Sequence, residues 1–394
     1  MHYCYYAHPI DEYIGRERMA SYPSGQRDLT VNQLALPSGV RIPHSPQKQR
    51  GSAMVDESAS TADNPPLVIR FIGHVDDFDD IDWAAKFPDR SLLLNGVQCV
   101  FGGRGEQDVL AVMGYTRYDY PAEVRQGGVW AWHTEWGMSK PYPGCYDLVF
   151  THIDRPDERF RKQPPALNWW VGKSFDELVA MKPPEKSRQM SAIASTRAHV
   201  AGHHTRNAFI ERVISEFPDI DVYGHGRPKS LENKWDGIAP YKYTIAIENG
   251  STPDYWTEKL TDAFMGWSVP LYFGAPNIRD YFPADSFIWL PIDEPEKALD
   301  VIRDTLENDS WEDRLEAVSQ ARRAIFDRWG FAAQVTQAVV ERENELRTAP
   351  KVRVRVLGRR MWKNGWVRDV GVRKNLGIHT RFIARRITKV FRRR

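Results

Sequence analysis

The stretch Tyr241-Lys-Tyr-Thr-Ile-Ala-Ile-Glu-Asn-Gly-Ser-Thr-Pro-Asp-Tyr-Trp-Thr-Glu-Lys-Leu260 decides the fold, because it predicts a strand, a loop and a helix in succession. Its apolar, β-branched and aromatic residues from Tyr243 to Ile247 predict a buried strand. Gly250-Ser-Thr-Pro253 predicts a turn and the capped start of a helix that runs to about Gly266. Another strand is predicted over Ser268–Phe273. This succession is typical of a parallel α/β sheet, which binds ligands at the carboxyl ends of its strands.

The composition indicates a folded protein with two domains of ordinary size and extra segments. The chain has 394 residues, of which 42% are hydrophobic and 12% aromatic. No apolar run approaches the ~18 residues that a membrane-spanning helix needs, and the first residues lack the pattern of a signal peptide. Cys4, Cys99 and Cys145 are odd in number and widely spaced. They predict reduced thiols, so we expect a cytoplasmic protein without a disulfide framework or zinc site.

Changes in composition predict four regions. Residues 1–65 are rich in Ser, Pro, Gln, Asp and Gly and are predicted to be disordered. Residues 66–188 are predicted to form an amino-terminal α/β domain, and residues 189–348 a carboxyl-terminal α/β domain. Residues 349–394 are predicted to be a basic amphipathic tail. Further strands are predicted at Leu67–Gly73, Ser91–Leu94, Asp108–Met113, Val129–His133, Asp147–Thr151 and Ser191–Ser195, and Asp221–Arg227 is predicted to be a strand followed by a Gly-rich loop.

The charge of the chain is divided unevenly. Residues 351–394 contain 16 Lys and Arg and a single acid, Asp369, so their net charge is +15 and that of the remainder is −13. Such a tail predicts an anionic partner. Apolar residues from Leu376 to Phe391 fall on one face of a predicted helix and Arg and Lys on the other, which favours an anionic membrane surface. Nucleic acid would use the same charges but is the less favoured partner.

A second predicted helix supplies a candidate phosphate ligand. Thr205 is a suitable N-cap, and Phe209, Val213 and Phe217 recur at intervals of four residues, which predicts a helix over Arg206–Phe217. Arg206 would therefore stand at a helix amino terminus, where its side chain can join backbone N–H groups around a phosphate.

The ordered motifs of this region resemble those of the family-10 glycosyltransferases, the α-1,3/1,4-fucosyltransferases. The resemblance rests on Tyr-Lys-Tyr, Glu-Asn and Asp-Tyr-Trp-Thr-Glu-Lys-Leu within Tyr241–Leu260, on Val269-Pro-Leu-Tyr-Phe-Gly-Ala-Pro276, and on Phe282-Pro-Ala-Asp-Ser-Phe-Ile288. It implies the GT-B arrangement, in which two Rossmann-like domains face a cleft. It also implies an inverting transfer of fucose from GDP-fucose to a hydroxyl of a glycan, with an α-linked product. Residues 66–188 would then be the acceptor-side domain and residues 189–348 the domain that binds the GDP-sugar.

The resemblance assigns a role to each candidate site residue. Arg206 and Lys259 match residues at the donor diphosphate, Glu258 matches the residue that binds the sugar portion, and Asn249 and Tyr255 match further donor ligands. Glu135, after the predicted strand at Val129–His133, matches the general base. Glu248 is a further candidate donor ligand. We expect Arg206 and Lys259 to be exposed cations of the cleft. They could neutralise the leaving diphosphate, so no cofactor or metal is obligatory, although a divalent metal could stimulate.

Other interpretations of the same residues stay open. Glu258 and Lys259 could be a solvated helix pair, Tyr255 could be a core residue, Glu248 could only brace its loop, and Glu135 could be a surface residue. His203-His204 suggests a metal, but no third ligand has suitable spacing. The alternative functions are transfer from another GDP-sugar and a non-catalytic protein that binds a glycan or nucleic acid. With the basic tail, the favoured function predicts a cytoplasmic enzyme at the inner membrane face.

Overall fold

The computed structural model describes residues 64–73, 81–114, 116, 119–132, 146–155, 157–165, 169–196 and 201–356. The predicted disordered segment lies outside these residues except at its very end, and the predicted tail lies outside them beyond Val356. Both sheets described below belong to one compact unit that begins at Pro66. Within the described residues, no helix is both long and apolar enough to cross a membrane.

The first sheet is built from apolar runs. Its part of the chain contains β1 (Leu67–Gly73), β2 (Leu93–Leu94), β3 (Val97–Phe101), β4 (Val109–Met113), β5 (Tyr120–Arg125), β6 (Val129–Trp132), β7 (Leu148–Thr151) and β8 (Phe160–Lys162). Seven of these strands form a sheet in the order β2-β3-β1-β4-β6-β7-β8, which is parallel apart from the β2–β3 pair. Strands β4, β6 and β7 are buried at every residue, because a central parallel strand is covered on both faces.

The second sheet alternates with helices. The elements of this region are α1 (Phe175–Ala180), β9 (Arg188–Ile193), α2 (Ala201–Glu216), β10 (Asp221–Tyr223), β11 (Tyr241–Ile247), α3 (Glu258–Met265), β12 (Val269–Phe273), β13 (Ile288–Trp289), α4 (Pro295–Asn308) and α5 (Leu315–Ala324). All neighbouring strands are parallel, in the order β10-β9-β11-β12-β13. Helices α2, α3, α4 and α5 contribute side chains to its core.

The chain returns to the first sheet at its carboxyl end. Helices α6 (Phe331–Val340) and α7 (Glu343–Thr348) follow a π-helical turn at Ile325–Trp329. Phe331, Val335 and Val339 pack with β1, β4 and β6 on one face of the first sheet. By sequence these helices belong to the predicted 189–348 domain, but their apolar residues complete the other core. An amphipathic helix packs where its apolar face can be buried, and here that face lies against the first sheet.

The first residues of the predicted tail are a strand. Strand β14 (Lys351–Val356) pairs antiparallel with β5 over its full length. Val352, Val354 and Val356 pack with Val124 on the face of the first sheet opposite α6, and Val356 is 1% exposed. The alternation of basic and apolar residues is thus that of a half-buried strand. Residues 351–356 are consequently not available as part of a membrane-binding tail.

The predicted fold class is confirmed, since the described chain is α/β with two separate, largely parallel sheets. Their carboxyl edges meet. Lys162, the last residue of β8, forms an ion pair of 3.0 Å with Asp254 in the loop before α3. His152, directly after β7, contacts Tyr255 of the same loop with 4.9 Å between ring centroids. The loop between β11 and α3 therefore contacts the first sheet where its strands end.

Candidate functional site

The second sheet has a topological switch point between β9 and β11. From β9 the chain passes to β10 on one side, and it then returns to β11 on the other side. The crevice at the carboxyl ends of two such strands is where open α/β sheets bind ligands. Arg206 bridges this crevice, because its Nη1 donates to Asn249 Oδ1 after β11 (2.8 Å) and its Nη2 to the Ser195 carbonyl after β9 (3.4 Å).

Arg206 differs from the expectation in two respects. Helix α2 begins at Ala201, so Arg206 lies in its second turn and not at its amino terminus. The residue is also only 6% exposed, whereas the sequence predicted an exposed cation. The reason is that its side chain lies between the ends of two strands. Burial lowers the pKa of Arg206, against which the charge of Glu248 acts.

Glu248 braces the loop that leads to α3. Its side chain is 0% exposed. Its Oε1 accepts hydrogen bonds from Thr257 N at 2.7 Å and Thr257 Oγ1 at 2.9 Å, and Lys259 Nζ lies 3.4 Å from its Oε2. Burial raises the pKa of Glu248, and the charge of Lys259 opposes that rise. The geometry agrees with the bracing role left open by the sequence, while a direct donor contact of Glu248 stays a prediction.

Gly274 permits this packing. A Cβ at position 274 would lie 2.1 Å from Tyr272 Oη and 2.6 Å from Glu248 Cγ. Both neighbours are themselves held, since Tyr272 Oη accepts a hydrogen bond from Ala275 N and Glu248 is bound to Thr257. The glycine of the Tyr-Phe-Gly-Ala-Pro motif is thus required by the close approach of the Glu248 side chain.

The amino terminus of α3 presents the cation and the carboxylate of the predicted donor site. The helix begins at Glu258 and is capped by Thr257, not at Thr252–Pro253 as the sequence predicted. Lys259 Nζ lies 3.3 Å from Glu258 Oε1, and the two side chains are 23% and 24% exposed. Burial would raise the pKa of Glu258, but the charges of Lys259 and Lys234 lower it to about 2. Glu258 is therefore an ionised acceptor at neutral pH.

The loop before α3 takes an unusual backbone path, which explains the displaced helix start. Asp254 has a φ of 63°, in the left-handed region that Asp and Asn tolerate best. Its Oδ1 accepts hydrogen bonds from Asn277 Nδ2 at 2.7 Å and Tyr281 Oη at 2.5 Å. Burial would raise the pKa of Asp254, but Tyr281, Asn277 and Lys162 outweigh it and lower the pKa. A helix cannot start at this residue, so it starts at the next cap.

Tyr255 is 1% exposed and lies against His152. Its ring is consequently part of the junction of the two sheets, which agrees with the core interpretation. His152 is itself 5% exposed, and burial lowers its pKa, with Asp254 acting against this. Donor contacts of Tyr255, like those of Asn249, Glu258 and Lys259, stay predictions that the geometry makes possible.

Glu135 lies three residues beyond the last residue of β6 and falls outside the described residues. Its assignment as the base stays a prediction. His203 is on α2, and in the part of the chain that the structure describes no group of three or more His, Cys, Asp or Glu could hold a metal ion.

Sequence reasoning missed the residues that join the two sheets. Lys162 ends one short strand of the first sheet and His152 follows another, and neither stands in a recognisable motif. Asn277 and Tyr281, which hold Asp254, lie just beyond the Gly-Ala-Pro motif. The only signal was the position of His152 and Lys162 at strand ends, where a parallel sheet places its ligands.

The part of the chain that carries this site is similar to known proteins. The model of glycosyltransferase family 10 (fucosyltransferase), C-terminal part, matches residues 184–303. The chain is 32% identical over 188 residues to alpha-(1,3)-fucosyltransferase B of Drosophila melanogaster, which covers 42% of each chain. It is 32% identical over 141 residues to alpha-(1,3)-fucosyltransferase FucT of Helicobacter pylori, covering 34% of this chain and 27% of that protein. The chain thus spans less than half of the length of these curated relatives.

Among solved structures, the chain is similar to a crystal structure of an alpha1,3-fucosyltransferase with GDP-fucose. The TM-score is 0.45 at 17% identity, over 68% of this chain and 85% of that one. The residues matched by the family model run from just before β9 into α4 and include Arg206, Glu248, Asn249 and the start of α3. The match of residues 184–303 to the family-10 model confirms the resemblance found in the sequence.

Proposed function

We propose that the protein is an inverting glycosyltransferase that moves fucose from GDP-fucose to a hydroxyl of a glycan acceptor, with α-1,3-fucosyltransferase-like chemistry. The observation that carries the proposal is the meeting of Arg206, Asn249, Glu248 and Lys259 at the switch point, inside the segment matched by the family model. The names of the curated relatives support fucose as the sugar.

The residues of the second sheet would bind the donor. Arg206, held between two strand ends, and Lys259, at the start of α3, would bind the diphosphate. Asn249 and Tyr255 would contribute further donor contacts. Glu258 is ionised and partly exposed beside Lys259, so it can accept hydrogen bonds from sugar hydroxyls. Glu248 would act mainly by fixing Thr257 and Lys259.

The reaction would be a single displacement. The acceptor hydroxyl gives its proton to the Glu135 carboxylate while its oxygen attacks the anomeric carbon, and the bond from that carbon to the diphosphate oxygen breaks. Attack from the opposite face converts a β-linked donor into an α-linked product. Arg206 and Lys259 would stabilise the charge that develops on GDP, and each such interaction is worth about 3 kcal/mol. A divalent metal could add to this but is not required by the scheme.

The junction of the two sheets supports the place of Glu135 in this scheme. Strand β6, which precedes Glu135, is the neighbour of β7, and His152 after β7 contacts Tyr255. Parallel strands end at one edge of their sheet, so β6 ends at the edge that meets the loop before α3.

The test is transfer of labelled fucose from GDP-fucose to a panel of glycan acceptors. We expect the wild type to transfer fucose or to hydrolyse GDP-fucose slowly. This activity should fall at least about a hundredfold in Glu135→Gln, since general base catalysis contributes factors of that size. The matched control is Glu123→Gln, an exposed residue of β5. Transfer from GDP-mannose but not GDP-fucose would replace the sugar in the proposal, and no turnover with any GDP-sugar would refute it.

We further propose that residues 357–394 bind an anionic membrane surface and hold the enzyme at the cytoplasmic face of the inner membrane. This segment keeps 13 of the basic residues and the predicted amphipathic helix. A chain that ends at Val356 should lose binding to phosphatidylglycerol vesicles and keep its turnover on soluble acceptors. Equal vesicle binding by the full-length chain and the chain that ends at Val356 would contradict the proposal. A full-length chain that binds DNA but not the vesicles would also contradict it.

A further inference from the structure

The loop after β10 is pressed against the end of β9. Gly224 has a φ of +148°, and a Cβ there would lie 2.4 Å from the Ala194 carbonyl oxygen. Gly226 has a φ of +79°, and a Cβ there would lie 2.2 Å from Thr196 Oγ1. Both glycines are therefore needed for the close approach. Arg227, which follows Gly226, therefore lies at the carboxyl end of β9.

Arg227 and Arg206 bind neighbouring carbonyl groups. Arg227 Nε donates to the Ala194 carbonyl at 3.1 Å, and Arg206 Nη2 donates to the Ser195 carbonyl at 3.4 Å. Two guanidinium groups thus lie at the same strand end, beside the switch point. Burial lowers the pKa of Arg206, and the nearby charge of Arg227 lowers it further. The proximity of the two guanidinium groups thus destabilises the charged form of Arg206.

Both guanidiniums retain an unused donor in a buried place. Arg206 is 6% exposed and the Arg227 side chain 4% exposed. Within the described residues, neither Arg206 Nε nor Arg227 Nη2 donates a hydrogen bond. A buried donor without a hydrogen bond is destabilising. Two such donors on two cations of like charge indicate a site for an anion.

A purely structural role explains only part of this arrangement. Arg227 Nη1 donates to Glu211 Oε1 on α2 at 2.6 Å, so Arg227 links the loop to that helix. This link and the bond to Ala194 use Nε and Nη1. They fix the orientation of the guanidinium and leave Nη2 for another acceptor.

We propose that Arg227 is a second arginine of the nucleoside-diphosphate site, with its Nη2 and Arg206 Nε donating to oxygens of a bound phosphate group. The inference rests on the proposed function, since the phosphate is that of the GDP moiety. A phosphate group of the diphosphate supplies oxygen acceptors for the two donors and places negative charge beside the two guanidinium groups. Arginine suits such a contact because its fork of donors is planar and rigid.

The test is titration calorimetry of the full chain with GDP and GMP. Arg227→Gln should weaken GDP binding at least about tenfold, the range of a lost hydrogen bond to a charged group. Arg227→Lys should recover only part of the affinity. Glu211→Gln is the matched control, because it replaces the ion pair with α2 by a neutral contact and keeps Nη2. It should change the affinity for GDP less than about threefold, and thermal unfolding should show all three variants folded.

The outcomes separate this inference from the proposed function. Equal losses in Arg227→Gln and Glu211→Gln would assign Arg227 a structural role and overturn the inference, as would wild-type GDP affinity in Arg227→Gln or no GDP binding by the wild type. Binding of GDP that depends on Arg227, in a protein that transfers no fucose, would support the inference and refute the proposed transfer.

Discussion

The Lys162 ammonium lies 3.0 Å from the Asp254 carboxylate and joins the last strand of the first sheet to the loop that carries the predicted donor residues. Lys162 is 47% exposed and the Asp254 side chain 8% exposed. Because Asp254 also accepts from Asn277 and Tyr281, this one carboxylate fixes the loop from two sides. The loop is thus held in place by contacts within the protein.

Replacing Asp254 should therefore affect the donor site as well as stability. In Asp254→Asn the ion pair is lost but the left-handed backbone is still tolerated, so we expect a loss of about 1–2 kcal/mol in the free energy of unfolding. Donor affinity should fall severalfold, as measured by calorimetry with GDP. Lys162→Met is the control for the exposed partner and should cost less than about 1 kcal/mol. Unchanged GDP affinity in Asp254→Asn would show that the loop is not part of the donor site.

Lys259→Met should abolish most turnover without preventing folding. The variant removes the cation that faces both Glu248 and Glu258, and Glu248 can become protonated because burial already raises its pKa. We expect kcat to fall about a hundredfold, which corresponds to about 3 kcal/mol of leaving-group stabilisation. Lys297→Met, an exposed lysine of α4, serves as the comparison. A variant with normal kcat would remove Lys259 from the reaction.

The depressed pKa of Glu258 predicts a specific acid sensitivity. Its pKa is about 2 in the folded protein and 4.5 ordinarily, so its contribution to stability is present above about pH 4.5 and is lost as the pH falls toward 2. Between pH 6 and pH 3 the stability difference between wild type and Glu258→Gln should shrink by about 2 kcal/mol. Denaturant unfolding at both pH values checks this. A constant difference would mean that Glu258 is not held ionised by Lys259 and Lys234.

Truncation should distinguish strand β14 from the segment beyond it. A chain that ends at Val356 keeps the β5–β14 pair, whereas one that ends at Pro350 loses it and exposes Val124. Burial of one Val side chain is worth about 1.5–3 kcal/mol, so the shorter chain should unfold several degrees lower in a thermal scan. Equal melting temperatures would contradict the packing role of β14.

The sequence predicted what depends on local pattern. The bounds of β1, β4 and β7 agree with the predicted strands to within one residue. The reason is that a strand buried along its whole length has a continuous apolar sequence. The family motif around Glu248 and Lys259 lies inside the segment matched by the family model, and its role in donor binding stays a prediction. Residues 351–356 are predicted to belong to a tail but form a strand, because their pairing with β5 joins segments more than 200 residues apart.

The start of α3 shows why local rules failed at the site. Thr252-Pro253 satisfies the usual pattern of a helix start, but the side chain of Glu248 binds Thr257 and makes it the cap. Asp254 is held in the left-handed conformation by Asn277 and Tyr281, which lie more than 20 residues further along the chain. Likewise, the burial of Arg206 results from contacts with two strand ends that no local pattern reveals.

The central claim is that the diphosphate of GDP-fucose binds where Arg206 and Lys259 meet Asn249 and Glu248. The most direct measurement is the affinity for GDP-fucose of the wild type, Arg206→Gln, Lys259→Gln and the double variant, with folding verified by thermal unfolding. We predict that each single variant loses at least about tenfold in affinity and that the double variant shows no measurable binding. Wild-type affinity in both folded single variants would contradict the account.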